Sequence, residues 1–165
     1  MAVDALVGKR VSLRPIGDGD LAAIEPWWSE AVAAAGSPHP LPLSRSAGEG
    51  RSVDPRSNGV LVIERQAESE PIGIVEYEAT DRWLSVVFTA LAKAYRGWGY
   101  GSEAVRLLEA WAVREGLAKR FRAKVDARNG LGLYFWLRLG YRPGASADDG
   151  RDAMTMIREI RDRRR

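Results

Sequence analysis

Apolar and polar positions alternate along Arg10–Ile16, with Val11, Leu13 and Pro15 on one side, which predicts a first strand. Asp18 and Asp20 offer N-caps to a short helix from Leu21. Pro26 restarts the chain, Trp27–Ala35 reads as a second helical piece, and Gly36 is its expected stop. Four prolines and several glycines and serines make Ser37–Asn58 irregular. Three strand-like runs follow, Gly59–Glu64, Pro71–Glu78 and Trp83–Leu91, and their short connections predict an antiparallel meander. At Gly99 the period changes from 2 to 3.6. Ala104, Leu107, Leu108, Trp111 and Ala112 then form one helical stripe that ends before Gly116. Phe121–Ala127 reads as a strand, and Asn129 caps a helix with Leu133, Trp136 and Leu137 on one side, stopped by Gly140. A short strand around Tyr141 and a last one at Ala153–Ile160 flank a turn at Gly144–Gly150. The order predicts an α+β fold, a mixed sheet of about seven strands with about four helices on its faces.

Composition narrows this picture. A chain of 165 residues with 45% hydrophobic content suits one domain, with its core between residues 10 and 160. The absence of cysteine excludes disulfides, a thiolate metal site and a cysteine nucleophile, and no metal site is expected. Neither a signal peptide nor a membrane span is readable, so a soluble, cytoplasmic chain is expected. The formal charge of +3 owes much to Arg158, Arg161 and Arg163–Arg165. That basic end reads as a solvated terminus, so nucleic acid is not an expected partner. A modest positive balance also suits an anionic cofactor.

The candidate chemistry sits in Arg96-Gly97-Trp98-Gly99-Tyr100-Gly101-Ser102, between a predicted strand and a predicted helix. Glycines allow a tight turn and close approach to a ligand, while amides at a helix start attract anions such as a pyrophosphate. Arg96 adds a formal charge at the entrance. The Gly-Lys-Ser/Thr ending of a nucleotide-triphosphate loop is absent, and the glycine spacing differs from that of a dinucleotide-binding turn.

The run Arg96-x-x-Gly99-x-Gly101 resembles the coenzyme A pyrophosphate loop of the GNAT superfamily, Gln/Arg-x-x-Gly-x-Gly/Ala. Asn129 followed by Gly140-Tyr141 repeats a second spacing of that family. The opening VSLRPIGDGDLAAIEPWW and Gly101-Ser102-Glu103-Ala104 are similar to the branch containing ribosomal-protein N-terminal acetyltransferases. The resemblance implies acetyl-coenzyme A as co-substrate and a primary amine as acceptor. It implies that Thr89, Ala90 and Leu91 pair with the pantetheine arm as an added strand. It further implies that the backbone of Gly97, Trp98, Gly99, Tyr100, Gly101 and Ser102 holds the pyrophosphate. Asn129 either bonds the pantetheine or is a plain helix cap. The family leaves open a homodimer through the late strands.

The implied reaction is direct attack of an amine on the acetyl thioester. In many relatives a Tyr seven positions after the Asn protonates the leaving sulfur, but here that position is Trp136, which reads as core packing. Tyr134 lies about 200° around the helix from it and is expected to face another way. Glu76, on one face of its strand with Glu78, and Asp126, near the end of the fifth main strand, are candidates for the general base. Trp28 and His39, the latter in the Pro-rich segment, are candidate acceptor contacts. A non-catalytic acyl-coenzyme A-binding domain on the same fold is the alternative, because Trp136 replaces Tyr and no base stands out.

Overall fold

The computed structural model describes residues 5–35, 54–144 and 153–160. In chain order the elements are β1 (Leu6–Val7), β2 (Val11–Pro15), a 3-10 turn (Asp18–Asp20), α1 (Leu21–Ala35), β3 (Asn58–Arg65), β4 (Glu70–Thr80) and β5 (Trp83–Leu91). A second 3-10 turn (Lys93–Tyr95), α2 (Tyr100–Arg114), β6 (Arg120–Asp126), α3 (Gly130–Arg138), β7 (Arg142–Gly144) and β8 (Ala153–Glu159) complete it. The eight strands form one sheet in the order β1-β2-β3-β4-β5-β6-β8-β7. Neighbours run antiparallel except β5 and β6, which are parallel and joined through α2, as a parallel pair requires a long crossover.

The α+β class and the meander are as expected, and the counts differ slightly. The extra strand is β1, two residues paired with Ser12 and Leu13, too short to show a period. Among the described residues there is one helix fewer, because α1 runs unbroken through Pro26. Ile24, Trp28 and Ala31 recur at helical spacing and are all buried, whereas Pro26 is exposed. The carbonyl that loses its donor to proline therefore faces water, and packing of the opposite face keeps the helix whole. Asp20 does not cap this helix by its side chain; its carboxylate accepts from Gly17 N at 2.8 Å and from Nη1 and Nη2 of Arg14, at 2.8 and 2.7 Å. Pro15 is exposed while Val11 and Leu13 are fully buried, and Leu137 is 40% exposed while Trp136 is buried. Most of the Pro-rich segment, Gly36, the Gly144–Gly150 turn beyond its first residue, and the last five residues lie outside the described residues. Arg158, expected as part of a solvated tail, lies on β8 and pairs with Glu109 at 3.0 Å.

The sheet has a core on each face. On one, Val11, Leu13, Leu61, Ile63, Val75, Tyr77, Leu84 and Val86 meet Ala104, Leu108, Trp111 and Ala112 of α2 and Trp136 of α3. On the other, Val62, Ile74, Phe88 and Ala90 meet Ile24, Trp28 and Ala31 of α1. Strict alternation would put Leu84, Val86, Phe88 and Ala90 on one face. They divide because Glu76 pairs with Phe88 and Tyr77 with Val86, which leaves Val87 as an extra residue. That bulge reverses the phase of β5 and bends it where the site begins.

Candidate active site

The parallel pairing of β5 and β6 covers Trp83–Val86 against Arg120–Ala123 and stops there. Beyond it β5 stays paired with β4 as far as Leu91, and β6 stays paired with β8 as far as Asp126. The two strands part directly after the bulge, and the wedge between them opens into a cavity of about 670 Å³. Pockets for extended cofactors fall in the range of roughly 300–1,000 Å³. Val87–Leu91 forms one wall, Lys124–Asp126 the other, and α3 a third, with Ala31 and Ala34 of α1 at its border.

At one end of the cavity lies the glycine loop. Gly97 and Gly99 have φ of +83° and +85°, the left-handed region that favours glycine. Gly99 is also the N-cap of α2 and provides no side-chain cap to the helix. The first amides of α2 therefore remain available as anion donors. Gly101 is buried, and a Cβ there would meet Phe135 Cε2 at 3.3 Å and Leu91 Cδ1 at 3.4 Å, so a small residue lets α2 approach α3 and β5.

Of the residues that the resemblance assigns to the cofactor, Thr89, Ala90, Leu91, Arg96, Gly97, Gly99, Gly101, Ser102 and Asn129 line the cavity. Trp98 and Tyr100 do not: the Trp98 side chain is 68% exposed, and the Tyr100 ring lies under the guanidinium of Arg10 at 4.6 Å. Arg96 is no free cation at the entrance. Its Nη1 donates to Glu30 at 2.7 Å and its Nε to the Leu91 carbonyl at 3.0 Å, so it ties α1 to the end of β5. That hydrogen bond holds the Glu30 carboxyl below its ordinary value. Asn129 is a helix cap, its Oδ1 accepting from Gly132 N at 2.9 Å. The Thr89 hydroxyl oxygen is buried with no hydrogen-bond partner. An orphaned hydroxyl costs about 1–3 kcal/mol, and this one stands on the cavity wall.

Of the two candidate bases, only Asp126 lines the cavity. Hydrogen bonds from the side chain and backbone of Arg128 hold its carboxyl below the ordinary value, which weakens it as a proton acceptor. Glu76 lies outside the cavity lining, opposite Phe88 in register and half-buried, while Glu78 is exposed. Trp28, expected to contact an acceptor, is instead core: it is 6% exposed and its ring lies 5.5 Å from Phe88. His39 lies outside the described residues. Trp136 is 6% exposed and packs on Phe135 and Tyr141 at 5.0 and 4.8 Å, in keeping with core packing. Tyr134, expected to face elsewhere, sits with Trp136 in the cavity lining although 58% exposed. Sequence reasoning also missed Lys124, Leu131 and Phe135 as lining residues, because nothing in their spacing separates a cavity wall from a solvated face.

Fold and cleft together define an α+β protein with room for an elongated ligand between two parted strands and for an anionic group at a helix start. The profile of the acetyltransferase (GNAT) domain family matches residues 10–142, and the chain belongs to that family, whose acetyl donor is acetyl-coenzyme A. The fold is similar to that of the Salmonella typhimurium acetyl transferase that modifies the N-terminal serine of ribosomal protein L7/L12, with TM-score 0.78, 16% identity, and 96% of this chain and 100% of that chain covered. It is similar to RimL, the ribosomal L7/L12 alpha-N-protein acetyltransferase, in complex with coenzyme A, with TM-score 0.77, 16% identity and coverage of 95% and 98%. An acetyltransferase from Agrobacterium tumefaciens gives TM-score 0.74, 19% identity and coverage of 97% and 96%. No curated protein matches the sequence. The residues present fit coenzyme A: an open strand edge with an orphaned hydroxyl on one side, and uncapped helix amides behind left-handed glycines on the other. Among the described residues no group of three metal-ligating side chains gathers, and no helix is long and apolar enough to cross a membrane.

Proposed function

We propose that the protein transfers the acetyl group of acetyl-coenzyme A to a primary amine by direct attack within a ternary complex. The observation that carries this reading is the wedge, where β5 and β6 part after Val86 and Ala123 beside the glycine loop. The edge of Thr89, Ala90 and Leu91 supplies backbone groups for a pantetheine arm, the Leu91 carbonyl being already held by Arg96. The amides of Gly97 to Ser102 take the pyrophosphate, Trp98 and Tyr100 contributing backbone only. Asn129, committed to its cap, shapes the cavity wall. The co-substrate brings an acetyl thioester. A backbone amide of β5 near the bulge polarises its carbonyl, the amine nitrogen bonds to that carbon, and the carbon–sulfur bond breaks.

The amine proton leaves through water to Asp126 or Glu76. With Trp136 unable to donate, the thiolate takes its proton from solvent. The acceptor is a small amine or a protein N-terminus; the likeness to enzymes acting on ribosomal protein L7/L12 supports the second. The buried Trp136 and the ion-paired Asp126 favour one other reading, an acyl-coenzyme A-binding domain without turnover.

Calorimetric titration with acetyl-coenzyme A, followed by a thiol-release assay over a panel of amines and N-terminal peptides, tests both. Binding with thiol release supports transfer, binding without release on any amine supports the second reading, and absence of binding by folded protein removes both.

A further inference from the structure

The glycine loop is held from behind by a residue that does not line the cavity. Arg10, just before β2, donates from Nη1 to the carbonyl of Trp98 at 2.8 Å and from Nε to Glu103 Oε2 at 3.1 Å. Its guanidinium lies 4.6 Å from the Tyr100 ring centroid, and a Cβ on Gly99 would come within 3.1 Å of its Nη2. The Arg10 amide also donates to Glu103 Oε1 at 2.8 Å, so the turn between β1 and β2 is pinned to the first turn of α2. One side chain thus grips residues 98, 100 and 103, on both sides of the left-handed Gly99.

A trans peptide is planar, so the Trp98 carbonyl and the Gly99 N–H point in opposite directions. Gly99 lines the cavity and Arg10 does not. By drawing the carbonyl toward itself, Arg10 turns an acceptor away from the cavity and leaves the amide facing into it. A loop free to flip this peptide would present a carbonyl oxygen to an anion, and left-handed glycines make such flips cheap. Glu103 balances the charge of Arg10, so the effect is one of orientation more than of field.

We propose that Arg10 is a positioning residue for pyrophosphate recognition, fixing the 98–99 peptide in its anion-binding orientation. This rests on the reading of the cavity as a coenzyme A site.

The test compares wild type, Arg10→Met and Arg10→Lys with two probes. Coenzyme A is titrated by calorimetry, and pantetheine, which lacks the pyrophosphate, by NMR shift changes. The expected result for Arg10→Met is about tenfold weaker coenzyme A binding with pantetheine affinity held within about twofold. Lys, which keeps one donor but not the fork, gives an intermediate loss and carries the comparison if the Met variant does not fold. In acetyl transfer the KM for acetyl-coenzyme A rises while kcat is kept. Equal losses for both probes would make Arg10 a general strut and overturn the proposal, as would unchanged coenzyme A binding. Failure of wild type to bind coenzyme A would instead remove the site reading, and the proposal with it.

Discussion

The Tyr141 hydroxyl donates to Glu109 Oε2 at 2.6 Å, linking the residue before β7 to the middle of α2. Both groups are buried, and Arg158 of β8 completes the set, its Nη2 3.0 Å from Glu109 Oε1 and its guanidinium over the Phe121 ring. Burial, followed by the charge of Glu109 and this hydrogen bond, pushes the Tyr141 phenol well above its ordinary value, so it stays a donor at any working pH. The same ring packs on Trp136, which lines the cavity. The aromatic residue after Gly140 thus serves as a brace between helix, sheet and cavity wall.

Removing the acceptor of that brace has a large expected effect. Glu109→Ala leaves the buried Tyr141 hydroxyl and the partly exposed Arg158 guanidinium without their carboxylate. A loss of about 3 kcal/mol in unfolding free energy is expected. Tyr141→Phe removes one hydrogen bond and keeps the ring, and is expected to cost about 1–2 kcal/mol. Urea unfolding of the two variants checks the order, and a smaller loss for Glu109→Ala than for Tyr141→Phe would contradict the assignment.

Substitutions in the glycine loop separate strain from space. Gly99→Ala forces a Cβ into the left-handed region and toward Arg10 at 3.1 Å. It is expected to destabilise by about 1–2 kcal/mol and to weaken coenzyme A binding as the loop relaxes. Gly97 has the same conformation but open space around it. Gly97→Ala therefore carries the backbone strain alone and is expected to lower the melting temperature less. Thermal unfolding beside calorimetric titration reads both quantities.

The Asp20 carboxylate predicts a pH dependence. The hydrogen bond from Arg14 outweighs the cost of burial and, with the Gly17 amide, holds the Asp20 carboxyl below its ordinary value of 3.8. A carboxyl with a depressed folded-state pKa contributes stability above its unfolded value and loses it as pH falls through its folded value. Wild type therefore loses this share as pH drops below about 3.8, whereas Asp20→Asn, less stable near neutrality by about 2 kcal/mol, shows a flatter acid limb. Urea midpoints between pH 7 and acid conditions check it; parallel curves would show that Asp20 does not titrate with folding.

Much of this was readable where one residue type has one physical use. The loop glycines announced a tight turn, and both left-handed positions in it are glycine. Asn129 announced a cap and is one. The bulge at Val87 was not readable, since Trp83–Leu91 carries apolar residues on both faces, broken by Ser85 and Thr89 alone, and a change of phase leaves little trace. Yet that residue stands where β5 and β6 part. Pro26 suggested a helix break that packing of Ile24, Trp28 and Ala31 overrides. Arg10 reaches Glu103 across 93 positions, a separation at which spacing carries no information. Trp28 could be wall or core by type alone, and the α1 face makes it core.

Thr89 offers a case where stability and function pull apart. Its hydroxyl oxygen is buried and lacks a hydrogen-bond partner, while the residue lines the cavity on the free edge of β5. A methyl in place of that hydroxyl keeps the shape and removes an unsatisfied polar atom. Thr89→Val is therefore expected to raise the unfolding free energy of the ligand-free protein by about 1 kcal/mol. If the hydroxyl exists to meet the co-substrate, the same change reduces the extra stabilisation that saturating coenzyme A confers, because that stabilisation scales with affinity for the folded state. Urea unfolding with and without coenzyme A reads both effects in one experiment. A rise without ligand and a smaller gain with it places the hydroxyl in the binding surface. A rise without ligand and an unchanged gain makes the orphan a packing defect that the co-substrate never touches. A fall without ligand would mean that the hydroxyl has a partner in solution, and the functional reading of this wall would then rest on the strand edge alone.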